Sequence, residues 1–193
     1  MQFLGSWATG DKDRLLHFSA GTLQTFSQHI QENEADCEAG GLLLGSVHGS
    51  HLLIGQATVP TAWDKRFRYL FERMPYGHEA IALSRWTATQ GIIRYLGEWH
   101  THPTGTLSPS EVDLQSYMRH LHDPELGFDR FVAIIAGFDS SARVLAATWL
   151  IERDRIWTVV PERLPTAPAV DSPYASDAAK HAASIADEHK ETP

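Results

Sequence analysis

Two histidines one residue apart, His100 and His102, are followed by Asp113, thirteen positions after the first of them. For these three side chains to meet, the end of an extended segment must lie against the start of a helix. No other feature narrows the possible folds as much. On an extended segment, residues two apart point to the same side, and Pro103 keeps His102 out of the helical region. Three deprotonatable nitrogen and oxygen ligands on rigid elements, with a fourth position free, are the pattern of a catalytic zinc site, whereas structural sites usually close the shell with cysteine. Cys37 is the only cysteine, so a metal held here would be open to water.

The run Ser108-Pro109-Ser110-Glu111-Val112-Asp113 reads as a helix N-terminus. Ser108 is expected at N-cap, Pro109 at N1 and Glu111 at N3, which makes a capping box. Ser110 then falls at N2, among unpaired N–H groups at the positive end of the helix dipole. Asp113 lies about one turn further on.

A metal-bound water still needs a proton acceptor. Two glutamates compete for that part. Glu38 precedes the glycine pair Gly40-Gly41 at the mouth of an apolar run, where close backbone approach is possible. Glu98 adjoins the histidines and shares the face of His100. Residue type and spacing leave the choice open.

At 193 residues the chain suffices for one well-cored domain and a tail. A formal net charge of -8 argues against nucleic acid as the main partner, because phosphate contacts need a basic patch. The local cluster Lys65, Arg66, Arg68 and Arg73 reads as a solvated face. The single cysteine excludes an internal disulfide and fits a reducing compartment. Met1 to Asp11 lacks the features of a signal peptide, and no apolar run approaches the ~20 residues that span a bilayer. The expectation is a cytoplasmic protein without a membrane segment.

Along the chain, Arg14 to Phe18 reads as a strand and Ala20 to Gln31 as a helix capped by Ser19. Gly41 to Val47 and His51 to Val59 read as a hairpin. Pro60 to Pro75 is an aromatic and basic connection with room for a short strand. His78 to Gln90 reads as a helix, Ile92 to Trp99 as the strand that delivers His100 and His102, and Ser108 to about His122 as the next helix. Phe131 to Phe138, Val144 to Ile151 and Arg155 to Val160 complete the strands, with a turn at Asp139 to Ser141. Mixed elements in this order indicate an α/β or α+β sandwich.

Glu38 with the run Gly40-Gly41-Leu42-Leu43-Leu44-Gly45, then His100-Thr101-His102-Pro103, then Ser110 and Asp113, resembles the JAMM motif of the JAB/MPN+ zinc metalloproteases, in particular the free-standing prokaryotic members. The resemblance implies a cytidine-deaminase-like α/β (α+β) fold, with a curved mixed β-sheet packed by helices in a single domain. That domain would span residues 1–161, and residues 162–193 would be a proline-punctuated, alanine-rich tail. It further implies that His100, His102 and Asp113 hold one Zn²⁺, that Glu38 is the general base and that Ser110 stabilises the oxyanion. Glu98 then falls to a supporting part.

Members of known activity cleave peptide or isopeptide bonds after the C-terminal glycine of ubiquitin or a ubiquitin-like protein. The implied partners are such a tail, its conjugates and E1/E2-like proteins of bacterial conjugation pathways, anti-phage systems among them. Tyr95, Trp99, Trp63 and the aromatic connection to Phe71 are candidates to line the substrate groove. The short connection from His122 to Phe131 argues against selectivity for one polyubiquitin linkage. Sulfur-carrier processing and a RadC-like, DNA-linked role are the rival readings. A ligand-free scaffold is disfavoured because every motif position is present.

Overall fold

The curvature of the sheet goes further than expected: eight strands close into a barrel. The computed structural model describes residues 6–103, 107–124, 126–127, 129–138 and 144–161. These belong to one unit, Met1–Glu162; the expected tail and the turn at Asp139 to Ser141 lie outside the described residues.

The elements run β1 (Ser6–Thr9), β2 (Leu15–Phe18), α1 (Ala20–Gln28), β3 (Gly40–His48), β4 (His51–Ala57), β5 (Lys65–Phe67), β6 (Leu70–Glu72), α2 (Pro75–Ala88), β7 (Arg94–Thr101), α3 (Glu111–His122), β8 (Arg130–Phe138), β9 (Val144–Glu152) and β10 (Arg155–Pro161). The barrel order is β1-β10-β9-β8-β7-β3-β4-β2, and β5-β6 form a separate hairpin. Pairing is antiparallel except for β2 with β4 and β7 with β8. β1 closes the ring between β2 and β10. Its four residues are not read as a strand from the sequence.

Two apolar layers place the elements. Leu23, Phe26 and Ile30, on or just beyond α1, join Trp7, Phe18, Leu43, Ile54, Trp99, Ile134 and Leu150 in the larger core. Tyr117 and Leu121 of α3 pack with Phe131, Ala133 and Ile151 in a second one. Alternate residues of β8 thus enter the two cores, which is why the strand reads as a continuous apolar run. α1 starts at Ser19 as expected, with the Ser19 hydroxyl accepting from Thr22 N. It stops at Gln28, short of the expected Gln31, whose side chain instead donates to the carbonyls of Asp36 and Arg68.

Helix α2 contributes little to either core. Only His78 is buried, while Leu83 and Trp86 are exposed. His78 anchors the helix through Nδ1 to Thr58 Oγ1 at 2.7 Å and Nε2 to Asp64 Oδ2 at 2.9 Å. No described helix is long and apolar enough to cross a membrane.

One irregularity sets the direction of the site. Against β3, the register passes from Leu43↔Gly97 to Leu44↔Tyr95, so Leu96 is an extra residue on β7. Leu96 and Trp99 both face the larger core, which strict alternation forbids. The bulge thereby turns Glu98 and His100 to the α3 side, a common use of bulges beside sites. Gly97 allows it: a Cβ there would meet Val132 O at 1.9 Å. Gly97→Ala is expected to cost roughly 3 kcal/mol, the upper end for overpacking, read as a lower urea midpoint at unchanged slope.

Candidate active site

His100 lies on β7 opposite Gly40 of β3, and His102 follows the strand end with its N–H donating to Ala136 O at 3.0 Å. Between them, Thr101 N donates to Ala39 O at 2.8 Å and Ala39 N to Thr101 Oγ1 at 2.9 Å. That exchange sets Glu38, one residue before Ala39, beside the histidines. Pairing of β3 with β7 therefore joins two motifs that are far apart in sequence.

The helix cap differs from expectation. The N-cap of α3 is Ser110, not Ser108, and N3 is Asp113, not Glu111. Both registers offer a serine followed three residues later by an acid. In the observed one, Asp113 Oδ2 accepts from Ser110 N at 2.7 Å and from Ser110 Oγ at 2.6 Å, and Asp113 N donates back to Ser110 Oγ at 3.2 Å. Capping fixes the Asp113 carboxylate at the helix start, where it faces the histidines.

His100 Nε2 is 3.0 Å from His102 Nε2. Asp113 Oδ1 is 3.5 Å from His100 Nε2, and Oδ2 is 3.9 Å from His102 Nε2. One ligand atom from each residue lies within 4.8 Å of the others, a group that can hold a metal ion. Burial lowers the pKa of His100 to about 4 despite the Asp113 charge, so its imidazole is neutral, as ligation needs. Two imidazoles and one carboxylate are a donor set suited to zinc with an open position.

Glu38 is 5% exposed and borders the same groove of about 770 Å³ as His100, His102, Ser110 and Asp113. Burial first, then the Asp113 charge, push its pKa up to about 8, while a main-chain hydrogen bond at Phe71 acts the other way. A carboxyl group poised near neutrality beside a candidate metal group suits proton transfer. Glu98, the rival, also borders the groove but is engaged elsewhere. Its Oε1 accepts from Arg73 Nη2 at 2.6 Å, Arg73 Nε at 3.0 Å and Tyr95 Oη at 2.9 Å.

The chain belongs to the prokaryotic JAB family. The family profile, described as prokaryotic homologs of the JAB domain, matches residues 19–152, a span that includes Glu38 and all of the His100–Asp113 stretch. Within this JAB family the chain is similar to a CD-NTase/cGAS isopeptidase of Pseudomonas aeruginosa, with 69% identity over 119 residues covering 62% of this chain and 75% of that protein. It is also similar to proteins of the same name from Escherichia coli, 32% identical over 56% of this chain and 69% of the relative, and Vibrio cholerae, 33% identical over 46% and 56%. A solution structure of a Desulfitobacterium hafniense protein shares the fold of this chain at a TM-score of 0.52, with 19% identity, covering 74% of this chain and 88% of that one.

The aromatic expectations separate. Trp99 borders the groove, but its ring is buried in the larger core against Phe26, with Nε1 donating to Thr58 O. Trp63 is 66% exposed beside Tyr76 and is not among the groove residues. Tyr95 borders a different cavity, with Trp86 and Leu126. From the aromatic connection, Tyr69 and Phe71 do line the groove, together with Leu70 and Arg73. The basic cluster is solvent-exposed at Lys65 and Arg66, as expected, but its charges are partnered. Arg73 pairs with Glu98, Lys65 with Glu72, and Arg66 and Arg68 donate to carbonyls of residues 33–38. Their spacing alone gave no sign of this, because every partner lies on another element.

Proposed function

We propose that this JAB-family chain is a zinc-dependent isopeptidase, acting in the cytoplasm of a bacterium on conjugates in a CD-NTase/cGAS pathway of antiviral defence. The observation that carries the reading is the convergence of His100, His102 and Asp113 in one groove with the buried carboxyl group of Glu38. The relatives' names support the substrate class and the pathway. The bond to be cut is taken as the amide after a C-terminal glycine, of the ubiquitin-like kind, with E1/E2-like proteins as the source of the conjugate.

His100, His102 and Asp113 would hold Zn²⁺, which when bound supplies Lewis acidity and an acidified water. Glu38 accepts the proton of the attacking water and returns it to the leaving amine, and its burial keeps that proton out of bulk solvent. Ser110 donates its hydroxyl hydrogen to the oxyanion. That hydroxyl now donates to Asp113 Oδ2, so it must swing away from the carboxylate while keeping its acceptor contact with Asp113 N. Arg73 holds Glu98 as the counter-charge of a half-buried pair, which leaves Glu38 as the base.

The direct test is incubation of zinc-loaded protein with C-terminal glycine fusions and isopeptide conjugates, of both CD-NTase-like and ubiquitin-like proteins, followed by mass spectrometry. Release at the glycine is expected. A folded, zinc-loaded protein that releases nothing from any of them would refute the proposal.

Glu38 also governs how stability depends on pH in the metal-free protein. Its folded pKa of about 8 lies above the ordinary 4.5, so the folded state keeps a proton that the unfolded chain releases. Stability then falls as pH rises, up to the folded pKa. His100 acts in the opposite sense, since its folded pKa of about 4 lies below 6.5 and stability falls as pH drops through that range. The trends oppose below pH 6.5, and the Glu38 trend alone remains from about 6.5 to about 8. Urea midpoints of metal-free wild type should decline across that window and those of Glu38→Gln should not; equal slopes would contradict the assignment.

A further inference from the structure

The segment that brings Glu38 to the groove is bonded to β7 only from Ala39 onward. Buried or half-buried main-chain groups need partners, and here the β5–β6 hairpin supplies them. Glu38 N donates to Phe67 O at 2.8 Å. Arg66 Nε donates to Glu38 O at 2.8 Å and Arg66 Nη2 to Cys37 O at 3.2 Å. Two residues on, the Arg68 guanidinium donates to the carbonyls of Asn33 and Glu34. The main chain of Phe71, also on this hairpin, favours the charged form of the Glu38 carboxyl group. The Phe71 ring closes over Gly40, where an added Cβ would sit 2.5 Å from it.

We infer that the β5–β6 hairpin positions the base, with Arg66 as the positioning residue: one guanidinium grips the carbonyls on both sides of the Glu38 Cα and so fixes where its carboxyl group points. The inference rests on the base role proposed above for Glu38. Arg66 itself is not among the groove residues, so it acts through Glu38 and not on substrate. A planar fork of donors suits two adjacent carbonyls; a lysine ammonium, a single point of charge, holds one of them less rigidly.

The test compares wild type, Arg66→Ala and Arg66→Lys by three readouts: zinc content, kcat and KM on a cleavable glycine conjugate, and hydrogen–deuterium exchange over residues 37–41. Arg66→Ala should keep its zinc and a KM within about twofold of wild type, the pattern of a group needed only in the transition state. Its kcat should fall roughly 10- to 100-fold, as small misplacements of reacting groups do. Exchange at the Glu38 amide should quicken about tenfold as the segment loosens locally. Arg66→Lys should recover part of kcat and part of the protection. Unchanged kcat with unchanged exchange overturns the inference, and so does a loss expressed in KM or in zinc. If wild type cleaves no conjugate, the proposed function fails on its own. Exchange then decides alone, and unaltered protection in Arg66→Ala overturns the positioning role.

Discussion

Glu38→Gln is expected to abolish cleavage almost completely while leaving the fold and the zinc content intact. The substitution keeps the shape of a buried side chain that is 5% exposed and removes its ability to take a proton. General base catalysis is worth about 10²–10⁴-fold, and among the described residues the other groove glutamates are paired, Glu98 with Arg73 at 2.6 Å and Glu72 with Lys65 at 3.0 Å. A loss of roughly 10³-fold in kcat with near-normal KM is the expected outcome. Glutamine also places no charge in this buried position beside Asp113, so the metal-free variant should be more stable than wild type near pH 8, where about half of Glu38 is ionised. Retained cleavage would transfer the base role to Glu98, and the paired variant Glu98→Gln would then carry the loss.

His102→Ala is expected to cost zinc affinity first and activity as a consequence. The imidazole is one of three ligands, among the described residues, whose donor atoms lie within 4.8 Å of one another. Loss of a mere outer-shell partner lowers metal affinity about 10–100-fold, and loss of a ligand should exceed that. Asp113→Ala should do the same and in addition remove half of the capping box with Ser110, a loss of about 1 kcal/mol of helix stability. The two variants are therefore separable. Both lose metal in a competitive chelator titration, and only Asp113→Ala also melts earlier without metal. Stoichiometric zinc in His102→Ala at wild-type affinity would exclude it as a ligand.

How much of this was legible in the chain follows from how local each feature is. His100 and His102 sit two apart on an extended segment, and Asp113 follows within a short span, so their meeting was readable from spacing. The helix start was readable to within two residues. Ser108 and Ser110 each precede an acid by three positions, and only the fit of the Asp113 carboxylate around the Ser110 N–H and hydroxyl settles the register. Glu38 was a different matter, because it reaches the histidines through the Ala39–Thr101 pairing between β3 and β7. No local pattern encodes that contact, and the family resemblance singled it out.

Features that depend on three-dimensional closure were missed. β1 is four residues long, joins β2 to β10 and sends Trp7 into the larger core. The extra residue at Leu96 shifts the alternation of β7, so Leu96 and Trp99 both enter the larger core. The arginines of the hairpin read as solvated charge because their carbonyl partners lie about 30 residues away in the chain, Arg66 with Glu38 at a separation of 28 and Arg68 with Asn33 at 35. Charge pattern alone carries no information about such partners.

The most direct measurement titrates metal-free protein with zinc and follows cleavage of one isopeptide-linked glycine conjugate. The proposed function predicts no cleavage without metal, a linear rise with added zinc and saturation at one equivalent per chain. Full cleavage by the metal-free protein, or none at saturating zinc from a folded one, would contradict it.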